Sequence, residues 1–167
     1  VLHKLPNPDN HFLMYPQWTA DDKALIFIDK HNSKMALLRY DFGEGSSLPL
    51  MDYTSHVINT PRVAGNRIFF SASFSGIDNI FTVTMGEREI YQITSAKLGA
   101  YQPGISSDGK TLFYSNFTDT GYDLVKMPVE PSAWNKVTPK EPVEMYATTA
   151  IENEGGNILN NIPAVQH

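Results

Sequence analysis

The chain has 167 residues, of which 41% are hydrophobic and 19% charged, so its composition suits one globular domain with a packed core and excludes a disordered segment. Its formal net charge of −5 comes from interspersed acidic residues without a lysine and arginine cluster, which argues against a nucleic-acid partner. The absence of cysteine excludes disulfides, thiolate metal sites and a cysteine nucleophile. No apolar run is long enough to predict a membrane-spanning helix.

The first predicted element is a turn followed by a strand at residues 15–28, where Tyr-Pro leads through Asp-Asp into an apolar run. Similar units occur at 60–71, with Gly-Asn in the turn, and at 101–115, with Asp-Gly. These residues readily adopt the positive φ that tight turns need, and each apolar run predicts a strand buried on both faces. We expect the strands at 25–28, 68–71 and 112–115 to be central in three separate sheets.

Each unit continues into a second turn and a second strand, which predicts a hairpin. The second strands are expected at residues 35–38, 80–83 and 124–127, and a more polar third strand at 90–94. The aromatic residues at the ends of the first strands, Phe27, Phe70 and Tyr114, are separated by 43 and 44 residues. We predict that these three aromatic residues occupy equivalent core positions, with no role as a ligand cage.

A repeat of about 43 residues with three or four short strands is typical of propeller blades. An immunoglobulin-like sandwich also has many short strands, but nothing in its architecture makes whole 43-residue units resemble one another. The sequence therefore predicts an all-β fold of about three propeller blades built from antiparallel strands, either an incomplete propeller or part of a larger one.

Two segments resemble the repeat of TolB-like β-propellers, whose blades typically read P-x-x-S-x-D-G-x-x-L-x-F and then G-x-x-D-I-Y. They are residues 103–114 and 76–81, and the similarity extends over about 15–138. The first two units depart from the pattern, since Asp22 replaces Gly and the turn at 64–66 is shortened. The resemblance implies the fold but not one function, because the same repeat occurs in translocation proteins, peptidase propellers and lyases.

The repeat divides the chain into a propeller domain at 1–140 and an extended C-terminal segment or linker at 141–167. The blades are expected at about 15–52, 53–94 and 95–138. Within the C-terminal segment, residues 151–159 resemble the linker that joins TolB-like propellers to outer-membrane β-barrels in some large exported bacterial proteins. The alternative is a polar terminal extension.

Three blades would leave the outer faces of the first and last sheets exposed, although these faces are apolar in a closed propeller. One explanation is that the chain, which starts at Val1 without a leader, is part of a longer protein and that residues 2–5 are the outer strand of a preceding blade. Alternatively, the end blades self-associate, or the segment 141–167 covers one face. The apolar residues available for covering are Met145, Tyr146, Ile151, Ile158 and Leu159.

The segment Ser106-Ser107-Asp108-Gly109 superficially suggests a nucleophile, but Ser106 lacks the second glycine of a nucleophile elbow. It also nearly matches the Asp box of sialidases, with a displaced aromatic residue. We interpret both matches as one blade turn, because Asp-Gly is a strong turn signal.

The sequence offers no convincing metal site. The five histidines show no H-E-x-x-H spacing and are interpreted as loop or surface residues: His3, His11, His31, His56 and His167. Asn116, Asp119 and Asp123 could supply oxygen ligands to calcium, but their spacing differs from an EF-hand, and a hairpin turn explains them better.

The sequence accordingly predicts no catalytic, cofactor-binding or metal-binding residue. The first hypothesis is a non-catalytic scaffold or binding module of an exported bacterial protein, in the periplasm or at the outer membrane, with a protein partner. The alternative is an accessory propeller of a larger hydrolase, such as a peptidase, that gates or positions substrate for catalytic residues outside this chain. A weaker third hypothesis, cleavage or binding of sugar, requires histidines and acidic residues at the ring centre.

Overall fold

The computed structural model describes residues 3–141, which form twelve strands and one short 3-10 helix at Pro131–Ala133. The first four strands are β1 (Phe12–Trp18), β2 (Ala24–His31), β3 (Lys34–Asp41) and β4 (Ser46–Pro49). The next four are β5 (Ile58–Ala64), β6 (Arg67–Ala72), β7 (Asn79–Thr84) and β8 (Ile90–Gln92). The last four are β9 (Ala100–Ile105), β10 (Thr111–Thr118), β11 (Gly121–Pro128) and β12 (Asn135–Val137).

The strands form three antiparallel sheets, each of which begins as a meander in chain order. The first sheet has the order β1-β2-β3-β4, the second β12-β8-β7-β6-β5, and the third β11-β10-β9. The strands predicted to be central, at 25–28, 68–71 and 112–115, lie in β2, β6 and β10, which have a hydrogen-bonded neighbour on both sides. The predicted all-β class and three-sheet architecture are confirmed.

The turns before the central strands use the expected residues. Asp22, Gly65 and Gly109 have φ values of 56°, 57° and 71°. In the first and third sheets the turns are alike in detail, since Thr19 Oγ1 donates to Asp21 Oδ1 (2.7 Å) and Ser106 Oγ donates to Asp108 Oδ1 (2.5 Å). The Ser106 motif is therefore a blade turn, as the sequence predicted.

The largest core lies between the first and second sheets and is filled by side chains from both. Ile26, Ile28 and Leu37 from the first sheet meet Ile68 and Phe70 from the second, and all five are fully buried. A smaller core between the second and third sheets contains Ile80, Ala100 and Leu112. Burial of these apolar side chains stabilises the packing of the sheets against one another.

Strand β12 corrects the expected organisation of the third unit. Asn135–Val137 lies inside the segment predicted as the third blade, 95–138, yet it pairs with β8 at the outer edge of the second sheet. The pairing is accompanied by an ion pair between Lys136 and Glu89. Trp134, just before β12, packs edge-on against Phe69 of the second sheet (6.2 Å between ring centroids). The third sheet consequently keeps three strands.

The outer face of the first sheet is covered, contrary to the expectation that both end faces are exposed. Phe27, Leu38 and Tyr40 on this face are at most 9% exposed, and Leu5 from the N-terminal segment packs against them. His3 Nε2 also lies 3.1 Å from the Tyr40 hydroxyl. Residues 2–5 are expected from the sequence to form the outer strand of a preceding blade. Residues 3–5 form no strand and cover this face instead, and Leu2 lies outside the described residues.

The N-terminal segment that covers this face, residues 3–11, is anchored at its C-terminal end by the buried carboxylate of Asp29. His11 Nδ1 lies 2.8 Å from Asp29 Oδ2, to which the Tyr53 hydroxyl also donates (2.5 Å). Burial, together with the negative charge of Asp29, raises the pKa of Tyr53 above its ordinary value. The predicted C-terminal segment, 141–167, lies outside the described residues apart from Glu141.

Candidate functional site at the inner strands

The first strand of each sheet contains the same bulge. In β1 the pairing with β2 shifts between Met14 and Gln17, so that Tyr15 and Pro16 together lie opposite Phe27. In β5 the residues opposite Phe70 are Thr60 and Pro61, and in β9 the residues opposite Tyr114 are Gln102 and Pro103. Two residues opposite one define a β-bulge. The bulges also align the three sheets and make Phe27, Phe70 and Tyr114 equivalent, as predicted, although Tyr114 is only partly buried.

The residue before each proline adopts an unfavourable backbone conformation. Tyr15, Thr60 and Gln102 have φ values of 54°, 47° and 53°. The left-handed region costs a non-glycine residue roughly 1–2 kcal/mol. Strained backbone of this kind is over-represented at functional sites. Because this strained conformation recurs at the same position in three sheets, the bulges are candidates for a functional site.

The three bulges line one cavity. Strand β5 lies between β1 and β9 and contacts both, so the inner strands of the three sheets are neighbours. A cavity of about 500 Å³ opens beside them. Its lining includes the three bulge residues and three neighbours: Tyr15, Thr60, Gln102, Asn59, Tyr101 and Tyr122. Ser71 and Ser115 complete the lining, and we call this pocket the axial cavity.

The axial cavity presents neutral hydrogen-bonding groups and aromatic rings. All eight lining residues are serine, threonine, asparagine, glutamine or tyrosine, so none is an acidic or basic residue. The rings of Tyr101 and Tyr122 meet edge to face, with centroids 6.1 Å apart. Tyr15 is 44% and Tyr122 68% exposed, so both rings are accessible to a ligand. A surface of this composition can stack on a ligand and form hydrogen bonds with it.

A partly buried carboxylate, that of Asp78, lies beside Tyr101. The Tyr101 hydroxyl hydrogen-bonds to Asp78, and the Tyr101 ring packs directly over Gly99, where an added Cβ would collide with it. Burial raises the pKa of Asp78, and the hydrogen bond from Tyr101 opposes this shift. Burial, followed by the nearby Asp78 charge, raises the pKa of Tyr101. Tyr101 is therefore held in place as a neutral phenol.

The residues considered as chemical candidates lie elsewhere. Asn116 and Asp123 are paired across β10 and β11, and Asp119 follows in the two-residue turn that joins these strands. Within residues 3–141, no group of three or more histidine, cysteine, aspartate or glutamate side chains is arranged to hold a metal ion. Over the same residues, no helix has the length and apolar character needed to cross a bilayer.

The remaining histidines are dispersed. His11 and His31 stack with centroids 4.0 Å apart on the first sheet, and His56 Nε2 lies 2.7 Å from the Lys140 carbonyl. His167 lies outside the described residues. Sequence reasoning overlooked the bulge residues Tyr15, Thr60 and Gln102, because a residue before proline normally prefers extended backbone. The recurrence of X-Pro in the repeat was the signal that could have revealed them.

The solved structures that resemble the chain include those of three proteins. A putative TolB from Agrobacterium tumefaciens matches with a TM-score of 0.62 and 17% identity, over 73% of this chain and 48% of that chain. A puromycin-hydrolyzing peptidase from Mycobacterium tuberculosis matches with a TM-score of 0.56 and 13% identity, over 75% and 21% respectively. The tricorn protease matches with a TM-score of 0.51 and 12% identity, over 81% and 16%.

The three-sheet architecture is thus shared with TolB. The fold is a partial β-propeller. The three sheets are its blades, the axial cavity lies at the innermost strands, and the chain spans about half the length of the Agrobacterium TolB chain. No family model and no curated protein matches the sequence. At these identities the similarity establishes the fold alone, because one propeller fold supports unrelated functions.

Proposed function

We propose that this chain is a non-catalytic propeller module that binds a protein partner through the axial cavity. The observation that carries the proposal is the convergence of three strained bulges, which place Tyr15, Thr60 and Gln102 in one accessible pocket. We place the protein among exported bacterial proteins of the periplasm or outer membrane, on the strength of the likeness to TolB.

The chemistry of the lining favours an uncharged peptide segment as the ligand. Amide and hydroxyl groups can pair with the backbone N–H and C=O groups of an extended peptide, and tyrosine rings supply rigid contact area at a low cost in conformational entropy. Tyrosine is also enriched among the residues that dominate protein–protein binding energy. A neutral pocket offers no ionic partner for a phosphate or carboxylate ligand.

The same lining argues for binding over catalysis. General acid–base chemistry relies on a titratable group, most often histidine or a carboxylate, within hydrogen-bond reach of the substrate. The eight residues of the axial cavity include no histidine, aspartate or glutamate, and the carboxylate of Asp78 is engaged in a hydrogen bond with Tyr101. The sugar-cleaving hypothesis, which needs such a cluster at the ring centre, is accordingly not favoured.

The alternative is an accessory propeller that positions substrate for a hydrolase. The structural likeness to a puromycin-hydrolyzing peptidase and to the tricorn protease supports this alternative, since the two matches extend over 75% and 81% of this chain. The gene that encodes the chain distinguishes the two. A G-x-S-x-G or H-E-x-x-H motif beside the propeller supports the hydrolase, whereas a barrel-like C-terminus supports the exported binding module.

A displayed library of random peptides, selected on the 167-residue chain, tests the axial site. We expect selected peptides to lose at least about tenfold in affinity on Tyr15→Ser or Gln102→Glu, equivalent to about 1.4 kcal/mol. Phe12→Ser is the matched control, because Phe12 lies in the same strand as Tyr15, is 64% exposed and does not line the cavity. Peptides that bind all three variants as tightly as the unmodified chain would contradict the proposal.

A further inference from the structure

The third sheet exposes a face that the other two sheets bury. The bulge register makes Leu37, Ile80 and Leu124 equivalent, because they pair with Ile28, Ser71 and Ser115, respectively, next to the aligned aromatic positions. Leu37 and Ile80 are 0% exposed, whereas Leu124 is 76% exposed. The first two lie in the interfaces with the following sheet.

A second set of equivalent positions shows the same contrast. Ile26, Phe69 and Phe113 each lie one residue before the aligned aromatic in the central strand. Their exposures are 0%, 2% and 38%. The third sheet therefore repeats the pattern of a blade-packing face at two independent positions, without a following sheet to cover it.

The exposed side chains form one continuous surface, which we call the open face. Across β10 and β11, Phe113 pairs with Lys126, Ser115 with Leu124, and Phe117 with Tyr122. The rings of Phe117 and Tyr122 also contact each other, with centroids 4.9 Å apart. Aromatic and aliphatic side chains on paired strands are the usual material of sheet packing, and monomeric proteins rarely leave such a patch in water.

The described residues 3–141 supply no cover for the open face from within the chain. The outer face of the first sheet, which would meet the open face in a head-to-tail ring, is already covered by Leu5 and the rest of the N-terminal segment. The chain after β12 runs toward the first two sheets, where Glu141 accepts a hydrogen bond from the Ser55 backbone N–H (3.0 Å). Its last described residues thus lie away from the open face.

We propose that the open face docks on the open face of a second copy of this chain, related by a two-fold axis. This inference goes beyond the proposed function: the open face shares Ser115 and Tyr122 with the axial cavity, but it extends away from that cavity to Phe113, Phe117 and Leu124. The Leu124 variant therefore tests the open face without changing a residue that lines the cavity. A two-fold interface is self-complementary, so the same apolar patch serves both partners. Two sheets packed face to face at roughly 10 Å can bury both patches.

The size of the open face determines how strongly two copies are expected to associate. Three strands of up to eight residues cover roughly 26 Å by 14 Å at the usual strand rise and spacing. Two such faces together amount to roughly 730 Å², which is below the roughly 1,200–2,000 Å² buried in a stable specific interface and within the range of weak, transient ones. We therefore expect a concentration-dependent dimer, which dissociates at micromolar concentrations.

Sedimentation equilibrium of the 167-residue chain, from about 1 to 100 µM, tests the proposal. The expected mass rises from 18.7 kDa toward twice that value, and Leu124→Glu removes the rise by placing a carboxylate from each copy in the interface. The matched control is Leu48→Glu, at a leucine that is 55% exposed in the first sheet and should leave association unchanged. Circular dichroism melts establish that both variants remain folded.

A single introduced cysteine locates the interface, because the chain has none of its own. Lys126→Cys, on the open face beside Phe113 and outside the axial cavity, should form a disulfide-linked dimer under mild oxidation, whereas Ser46→Cys in β4 should not. A chain that stays monomeric at every concentration would overturn the proposal. So would an increase in association on removal of residues 142–167, which would show that this segment occupies the face.

Discussion

The second and third sheets have the same strand register but opposite surroundings. The second is packed on both faces, with Phe70 and Ile80 fully buried on opposite sides. The third is packed on one face, where Leu112 is fully buried, and is open on the other, where Leu124 is exposed. Burial of equivalent positions in these two sheets is therefore decided by whether another part of the structure covers the face, and the residue pattern alone does not determine it.

The largest expected effect comes from the doubly packed sheet. Phe70→Ala should lower the free energy of unfolding by roughly 3–5 kcal/mol, because it removes a fully buried ring that packs on Phe74 and Phe81. Urea denaturation measures this difference. A free energy of unfolding that stays unchanged would show that Phe70 is not part of the core between the first two sheets.

Two equivalent positions give the sharpest form of the comparison. Ile80→Ala should cost roughly 2–5 kcal/mol, whereas Leu124→Ala should change the free energy of unfolding by less than about 0.5 kcal/mol at low protein concentration. The physical reason is that Ile80 is fully buried and Leu124 is 76% exposed. Similar losses at both positions would contradict the difference between the two sheets.

The cover of the first sheet should depend on the buried carboxylate. Asp29→Ala should cost roughly 1–3 kcal/mol, since it leaves the His11 imidazole and the Tyr53 hydroxyl without their shared partner. Chemical denaturation gives the magnitude. The control is Asp9→Ala in the same N-terminal segment, whose exposed side chain should contribute little. Equal effects of the two substitutions would argue against Asp29 as the anchor.

The two similar turns at residues 19–21 and 106–108 should have the smallest effect on stability, and this effect should depend on pH. The hydroxyls of Thr19 and Ser106 hold the pKa values of Asp21 and Asp108 below the ordinary value of 3.8. A lowered pKa means that the stabilisation is present above the ordinary value and is lost as the pH falls through the folded value. We expect the double variant Asp21→Asn, Asp108→Asn to lose less stability than the unmodified chain below about pH 4. Equal acid sensitivity in thermal melts would exclude the two turns as contributors.

Much of the fold follows from local sequence patterns. The turns at Asp22, Gly65 and Gly109 and the apolar runs after them contain enough local information to locate the three central strands. The pairing of β12 with β8 could not be predicted from local sequence patterns. A three-residue strand has no periodicity, and its partner strand lies more than 40 residues earlier. The cover by Leu5 was likewise unpredictable, since it depends on a tertiary contact with the first sheet.

The candidate site was less accessible to sequence reasoning than the fold. Tyr15, Thr60 and Gln102 share no side-chain chemistry, and they are related only by the proline that follows each of them and by their strand register. A functional site defined by backbone position does not produce a residue motif. The shared strand register of the three sheets is what relates these residues to one another.

Hydrogen exchange of backbone amides, followed by NMR, tests the repeat of three equivalent sheets most directly. We expect slow exchange in all three central segments, residues 25–28, 68–71 and 112–115, because each has a hydrogen-bonded strand on both sides. We also expect faster exchange in β11, at the edge of the third sheet, than in β7, the equivalent interior strand of the second. Exchange at 112–115 as rapid as in the loops would contradict the equivalence of the three sheets.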